Sequence, residues 1–435
     1  MNKYVSALEH AEFKIRVGKV THFVGLVIEA SGPNVFLGEL CEVYAANSIK
    51  PVLAEVVGFK DGRILLMPYG KVKGISLGSD VIATGHVARV VVGEQLLGRV
   101  VDAFVEPLDD KGPIANTEYY PLYRDAHNPM EREPIGERLA SGVKAIDAFL
   151  TMGKGQRVGV FAGSGVGKSS LLGMLTRNSS ADVNVIALIG ERGREVMDFI
   201  EESLGDEGLK KSVVIVATAD QTALTRAHAV HAAMTVAEYF CDQGKEVLLT
   251  LDSITRFAMA QREIGLAVGE PPTARGYTPS VFSLLPAIVE RGGNFKGKGS
   301  ISAIYTVLVE GDDLNEPITD NMRAILDGHI VLSREMANRG DFPAIDITKS
   351  ISRLFNRLVN KEEKDVANKL RSAIAQYEST LDLIEIGAYE KGKNQQLDNI
   401  IAVYPAIAGI LKQDLAETFT RTTTMAQVKS VANRL

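Results

Sequence analysis

No stretch of this chain restricts its fold more than Arg157–Leu172. An apolar run, Val158–Ala162, passes into Gly163-Ser164-Gly165-Val166-Gly167 and then into Lys168-Ser169-Ser170-Leu171-Leu172. The order predicts a buried strand, a glycine-rich turn and a helix opening on Lys-Ser, the arrangement of a phosphate-binding loop. Glycines let the backbone curl until successive N–H groups point at one anion. The new helix aims its positive end at the same place. Lys168 is then placed to reach β- and γ-phosphates, and the Ser169 hydroxyl to ligate magnesium. Gly163, Ser164, Gly165, Val166, Gly167, Lys168, Ser169 and Ser170 are the expected nucleotide-binding residues. One departure is visible: Ala162 stands where the motif usually begins with glycine, and a small residue still fits.

At 435 residues the chain has room for two to four domains of about 150 residues each. Val, Ile and Leu dominate short runs at 158–162, 183–189, 213–217, 247–251, 302–309 and 328–332, with room for helices between them. Near-continuous apolar runs are what strands buried on both faces require. A parallel α/β sheet with crossover helices is therefore expected over 93–345. Ahead of it, 15–92 carries short β-rich runs, among them Phe23–Ile28, Leu40–Tyr44 and Val52–Val57. Lys60-Asp61-Gly62 marks a hairpin there, and a small closed barrel is predicted. Residues 1–14 read as a weakly amphipathic or loose arm. From Asp346 onward no further strand is expected. Val366, Leu370, Ile374, Tyr377, Leu381 and Ile384 recur at helical spacing, as do Leu397, Ile400, Tyr404, Ile407 and Leu411, so 346–435 reads as a helical domain.

Composition narrows the partners. Charged residues are 23% and the net charge is −6, which weighs against a dedicated nucleic-acid binder. Cys41 and Cys241 lie far apart and imply buried free thiols rather than a metal or disulfide framework. His228 and His231 sit three apart with no Cys or acidic cluster beside them, which favours structural roles. No apolar run reaches the ~18 residues of a membrane span, and the start of the chain lacks a signal-peptide core. A cytosolic protein is expected.

Two carboxylates follow strand runs. Val247–Leu251 ends in Asp252, which places that acid at the carboxyl edge of the sheet, within reach of a nucleotide-bound magnesium through a water. The alternative is that Asp252 or Ser253 caps the helix starting near Ile254. Val185–Ile189 breaks at Gly190 and presents Glu191, which could hold an attacking water in line with a γ-phosphate. A solvated Glu-Arg-Gly-Arg-Glu loop explains the same residues.

Gly190-Glu191-Arg192, Thr250-Leu251-Asp252-Ser253 and Pro279–Pro286 together resemble the catalytic subunits of rotary ATP synthases and their protein-export relatives. The resemblance spans barrel, RecA-like nucleotide domain and helical domain. Within the family, four stretches look most like the ATPases of flagellar type III export: Val24–Pro33, the loop Ala162–Ser169, Glu270–Tyr277 and Ile386–Gly392. Injectisome ATPases tend to carry Cys-Gly-Lys-Thr in the loop and Gly-Glu-Tyr in the last stretch, where this chain has Val-Gly-Lys-Ser and Gly-Ala-Tyr.

The resemblance implies an ATP hydrolase using Mg2+ and working as a homohexamer with sites at subunit boundaries. It implies that Glu191 is the catalytic carboxylate, that Arg192 lies beside the γ-phosphate, and that Arg256 neighbours the triphosphate. Phe342 matches an aromatic that packs on adenine, and Arg353 a finger entering the neighbouring subunit's site, where a planar, always-charged guanidinium suits phosphoryl charge. The implied partners are a regulatory stator-like protein at the N-terminal arm, a coiled-coil stalk in the ring centre, the export gate and chaperone–cargo complexes. Its implied place is peripheral to the inner membrane at the flagellar base. Four alternatives stay open: an injectisome ATPase, a synthase subunit that makes ATP, a non-catalytic ring subunit, and a nucleic-acid translocase.

Overall fold

The computed structural model describes residues 16–45 and 50–435, with the side chains of Asp312 and Glu385 left aside. The arm expected at 1–14 lies outside the described residues.

Six antiparallel strands between Val17 and Val87 close into a barrel. Its inward positions alternate along each strand and bury Val20, Ile28, Ala30, Cys41, Val43, Val56, Leu66 and Val81. Cys41 and Cys241 are both buried free thiols, as composition implies. The run Phe23–Ile28, read as one strand, is instead a hairpin. Val17–Val24 and Val27–Ser31 pair antiparallel around Gly25, which takes φ +59°. The apolar side chains at its tip hide the turn from a hydropathy reading. The hairpin at Lys60–Arg63 forms where the Asp-Gly pair predicts it.

The barrel is joined to the next unit by a small apolar cluster of Val27, Leu65, Met67, Tyr69 and Leu224. A polar knot supports it. Tyr69 and Tyr123 both donate to the Glu55 carboxylate, and burial raises that carboxyl above its ordinary value.

The central sheet runs in the order 345–352, 328–332, 157–162, 300–308, 246–252, 183–189, 212–217, 99–101. The strands from 328–332 through to 99–101 are mutually parallel. Side chains alternate between two buried faces. Val183, Val185, Ala187 and Ile189 point into one core with the helices Ala223–Asp242 and Ile254–Val268, while Ile186 and Leu188 point into the other with the helix Lys168–Asn178. Burial on both faces explains why these strands read as apolar runs.

The expectation that strands end near Asp346 fails. Ile345–Ser352 is an eight-residue strand, antiparallel to Gly328–Leu332, and it forms the sheet's edge. Its polar residues Thr348 and Lys349 face outward, as an edge position allows, and this masks its β character in hydropathy. After the short helix Phe355–Leu358 come three longer ones, Lys361–Glu385, Gln395–Leu411 and Arg421–Ala432. The Tyr377 and Tyr404 rings stack at 3.5 Å between the first two. Among the described residues no helix is long and apolar enough to cross a membrane.

The helix Ala223–Asp242 is fixed by a buried ion pair. Arg291 donates from Nε to Glu238 Oε1 at 2.7 Å and from its second nitrogen to Oε2 at 3.0 Å, and it also reaches Thr235 at 2.9 Å. Both charged side chains are almost wholly buried. Breaking such a pair from one side leaves an uncompensated charge, which costs about 3–5 kcal/mol. Glu238→Ala is expected to lower the thermal unfolding midpoint of the nucleotide unit by roughly 10 °C, read by circular dichroism. A midpoint unchanged within error would show that water reaches Arg291 freely.

Candidate functional site

The parallel strands end on one edge of the sheet, and the polar residues after each of them meet there. Strand Arg157–Ala162 delivers the loop Gly163–Gly167, strand Val183–Ile189 delivers Glu191, and strand Glu246–Asp252 ends in Asp252. In register, Asp252 sits opposite Leu188, and Ala162 opposite Leu308. The cleft between them has a volume of about 610 Å³ and is lined by Gly163–Gly165, Gly167–Ser170, Glu191, Arg192, Ser253 and Arg256, among others.

The loop takes the shape its glycines permit. Gly167 caps the helix Lys168–Asn178 with φ +87°, a conformation that side chains rarely adopt. A Cβ built there would also meet the Phe342 ring at 3.2 Å, so the aromatic expected to face a base lies directly against the phosphate loop. Val166 is buried beneath the loop, whereas Ser164, Gly165 and Ser169 are exposed to the cleft. Phe342 is 43% exposed, which separates it from ordinary core packing.

Lys168 is the electrostatic centre. Its ammonium donates to Asp252 Oδ1, and lies 3.5 Å from Glu191 Oε1. Burial alone pulls an ammonium down, but Asp252 and Glu191 more than offset it and hold Lys168 above its ordinary value. Asp252 is 3% exposed and accepts a second bond from Thr306 Oγ1 at 2.6 Å. The helix Ile254–Val268 is capped by Ser253, whose hydroxyl accepts from the Arg256 N–H at 3.3 Å. Of the two candidates for that cap, the serine takes it and the aspartate is left for Lys168.

Glu191 lies further from the ammonium than Asp252 does. Burial pushes its carboxyl up to about 7 against the pull of Lys168, and the Asp252 charge and a hydrogen bond with Glu195 push the same way. That shared proton holds Glu195 below its ordinary range. A carboxyl near neutrality is suited to accept a proton at physiological pH. Glu195, one turn into the following helix, is a participant that sequence reading missed; its place three residues after Arg192, in a capping box, was the available signal.

The arginines are spread out. Arg256 lies across Gly190, 3.0 Å from where a Cβ would stand, so only glycine lets it reach the cleft wall. Arg192 is at the rim with its side chain 81% exposed, 3.9 Å from Glu195. Arg353 is not brought to this cleft. It follows Ser352, which pairs with Gly328 at the amino end of its strand, so it stands on the opposite edge of the sheet. The six-residue strand separating the two edges is roughly 20 Å long. Gln413, whose N–H donates to Phe342 O at 3.0 Å, brings the loop after the second C-terminal helix beside the aromatic, a contact no local motif announces.

Hard oxygen donors converge at Ser169, Asp252 and Glu191, the donor type that suits magnesium. Among the described residues no three His, Cys, Asp or Glu side chains form a metal cage. A cation that keeps waters and phosphate oxygens as ligands fits this arrangement.

Comparison with known proteins agrees with the geometry. Residues 142–352 match the nucleotide-binding domain of the ATP synthase alpha/beta family, 20–85 its beta-barrel domain, and 359–430 the C-terminal domain of the type III secretion ATPase EscN. The flagellum-specific ATP synthase of Bacillus subtilis is 52% identical, with 95% of this chain and 94% of that protein covered. The assembled ATPase EscN of the enteropathogenic E. coli type III secretion system superposes with a TM-score of 0.90 at 42% identity, covering 95% of this chain and all of that one. EscN in complex with its central stalk EscO gives 0.87 at 41%, with the same coverage.

The Glu191 ionisation is directly measurable. Carboxyl carbon NMR of the nucleotide-free protein should show Glu191 titrating with a midpoint of about 7. Glu195→Gln should move that midpoint down, because it removes a group that raises it, and Lys168→Ala should move it up. A midpoint in the ordinary carboxylate range, or shifts of opposite sign, would contradict the electrostatics described.

Proposed function

This chain belongs to the ATP synthase alpha/beta family and, within it, to the ATPases of flagellar type III protein export, and we propose that its cleft hydrolyses ATP with the help of a neighbouring copy. The observation that carries the proposal is the convergence of Lys168, Asp252 and Glu191 at the mouth of the glycine loop. The backbone N–H groups of Gly163–Ser170 wrap the phosphates and Lys168 bridges the β- and γ-phosphates. To do so the ammonium exchanges a carboxylate for phosphate oxygens, which frees Asp252. Ser169 and Asp252 would hold magnesium, which when bound neutralises charge on the phosphate oxygens. Phe342 packs on the adenine, and Arg256 faces the triphosphate from the wall.

Glu191 orients a water in line with the γ-phosphorus. The water oxygen forms a new bond to phosphorus as the bond to the β-phosphate oxygen breaks, and the water's proton passes to Glu191. ADP and phosphate leave. Arg192, at the rim, meets the departing phosphate.

Arg353 cannot serve its own cleft from the far edge of the sheet, so it acts in trans. Six identical copies, arranged head to tail, place each Arg353 at the next copy's site and close a ring. ATP then clamps two subunits together, and loss of the γ-phosphate loosens them. A coiled-coil stalk in the ring centre, a stator-like regulator at the N-terminal arm, and chaperone–cargo at the export gate complete the reading. The ring acts from the cytoplasm, held peripherally at the membrane below the flagellum. In this reading the C-terminal helical part moves with nucleotide state.

Two experiments test the assignment. Glu191→Gln should bind ATP as the wild type does while turnover falls by roughly 10²–10⁴-fold; wild-type turnover would remove Glu191 from the chemistry. Arg353→Ala should lose about 10³-fold or more in assembled protein. Mixing it with Lys168→Ala should restore hydrolysis, since one copy then supplies the loop and the other the finger. No restoration would place Arg353 outside the site.

A further inference from the structure

On the edge of the sheet opposite the cleft, the start of the loop strand is bound to the segments on both sides of Arg353. The Asp327 carboxylate accepts from Arg157 at three points: the backbone N–H at 3.1 Å, Nε at 2.9 Å and a terminal nitrogen at 3.2 Å. Arg157 also donates to Glu290 at 2.5 Å. The Asp327 backbone is bonded in both directions, donating to Arg157 O and accepting from the Arg353 N–H, each at 2.9 Å. Gln156, fully buried, donates to Asp327 O at 3.2 Å and to Ser352 Oγ at 3.1 Å. Ser352 Oγ in turn donates to Thr151 O at 2.9 Å.

The guanidinium of Arg353 is held by two backbone carbonyls, Arg323 O at 3.0 Å and Ala324 O at 3.5 Å, at the end of the helix Pro317–Ile325. Those carbonyls lie just ahead of Asp327 in sequence. The turn that carries them is therefore pinned to the loop strand by the Asp327 fork. A bidentate carboxylate–guanidinium fork fixes orientation as well as distance. Glu290 alone could neutralise Arg157, so the charge balance does not by itself demand Asp327 at this place. What Asp327 adds is geometric, because its side chain fixes Arg157 while its main chain fixes Arg353.

We propose that Asp327 is a positioning residue for catalysis: its fork with Arg157 sets where Arg353 is presented to the neighbouring copy. The inference rests on the reading that Arg353 acts in trans. It also makes the strand Arg157–Ala162 a common support, with the chain's own phosphate loop at one end and the platform of the exported arginine at the other.

Asp327→Asn keeps the size and both main-chain bonds but loses the charged fork. In the full-length assembled protein it should lower kcat by roughly 10–100-fold, the scale of a small misplacement of a reacting group. Affinity for a fluorescent ATP analogue should stay within about twofold, since the variant's own loop is intact. Mixed with Lys168→Ala, Asp327→Asn should recover hydrolysis well above the sum of the two alone. Mixed with Arg353→Ala it should not, because both copies then offer a faulty finger. Arg157→Lys, which keeps the charge and cannot fork, should show the same pattern with a smaller loss.

Wild-type kcat in Asp327→Asn would overturn the proposal. So would failure of Lys168→Ala to rescue it, or loss of nucleotide binding in both Asp327→Asn and Arg157→Lys, since the clamp would then serve the chain's own loop or fold. If Arg353→Ala itself kept full turnover, the trans reading would fall first, and the clamp's catalytic role with it.

Discussion

One half-buried ammonium organises this molecule. Lys168 sits where desolvation works against its charge, and an unpaired charge there would cost several kcal/mol. Its two carboxylate neighbours remove that penalty, yet they come from different strand ends, Asp252 and Glu191. Only a parallel sheet gathers such ends along one edge. The same arrangement leaves the cluster ready to exchange a carboxylate for phosphate, because the ammonium is held charged whether the anion is aspartate or ligand. Thr306 keeps Asp252 in place while this happens.

The two carboxylates are not equivalent, and the difference is environmental. Asp252 accepts two hydrogen bonds, one from the Lys168 ammonium and one from Thr306. Glu191 has one distant cation and a second acid, Glu195, sharing its proton, so its charge is easily given up.

The sheet was legible in the sequence because double-sided burial writes itself as uninterrupted Val, Ile and Leu. Strand 183–189 begins and ends where its apolar run does, and strand 328–332 ends with its own. The phosphate loop was legible because its chemistry is contiguous. What escaped reading is what depends on partners distant in sequence or on mixed polarity. The edge strand Ile345–Ser352 alternates with Asp346, Thr348 and Ser350, so hydropathy ends where hydrogen bonding continues. The hairpin at Gly25 is concealed by exposed apolar residues at its tip. Thr306 and Asp327 sit in otherwise unremarkable stretches, and their roles arise only once strands far apart in sequence are side by side. Arg353 was named through family resemblance, and no local pattern would have placed it on the far edge from its chain's own loop.

The edge strand has a consequence for how sequences of this kind can drift. It leaves Phe342 near one rim and delivers Arg353 to the other, so its length acts as a ruler between what a subunit keeps and what it lends. Inserting or deleting a single residue would turn every later side chain to the opposite face and would shift the lent group by about 3 Å. Surface loops elsewhere can lengthen over evolutionary time at small cost. Within this segment the slack is confined to the bulge between the pairs His329–Ile351 and Val331–Asp346, so the separation of Phe342 from Arg353 is what its length sets.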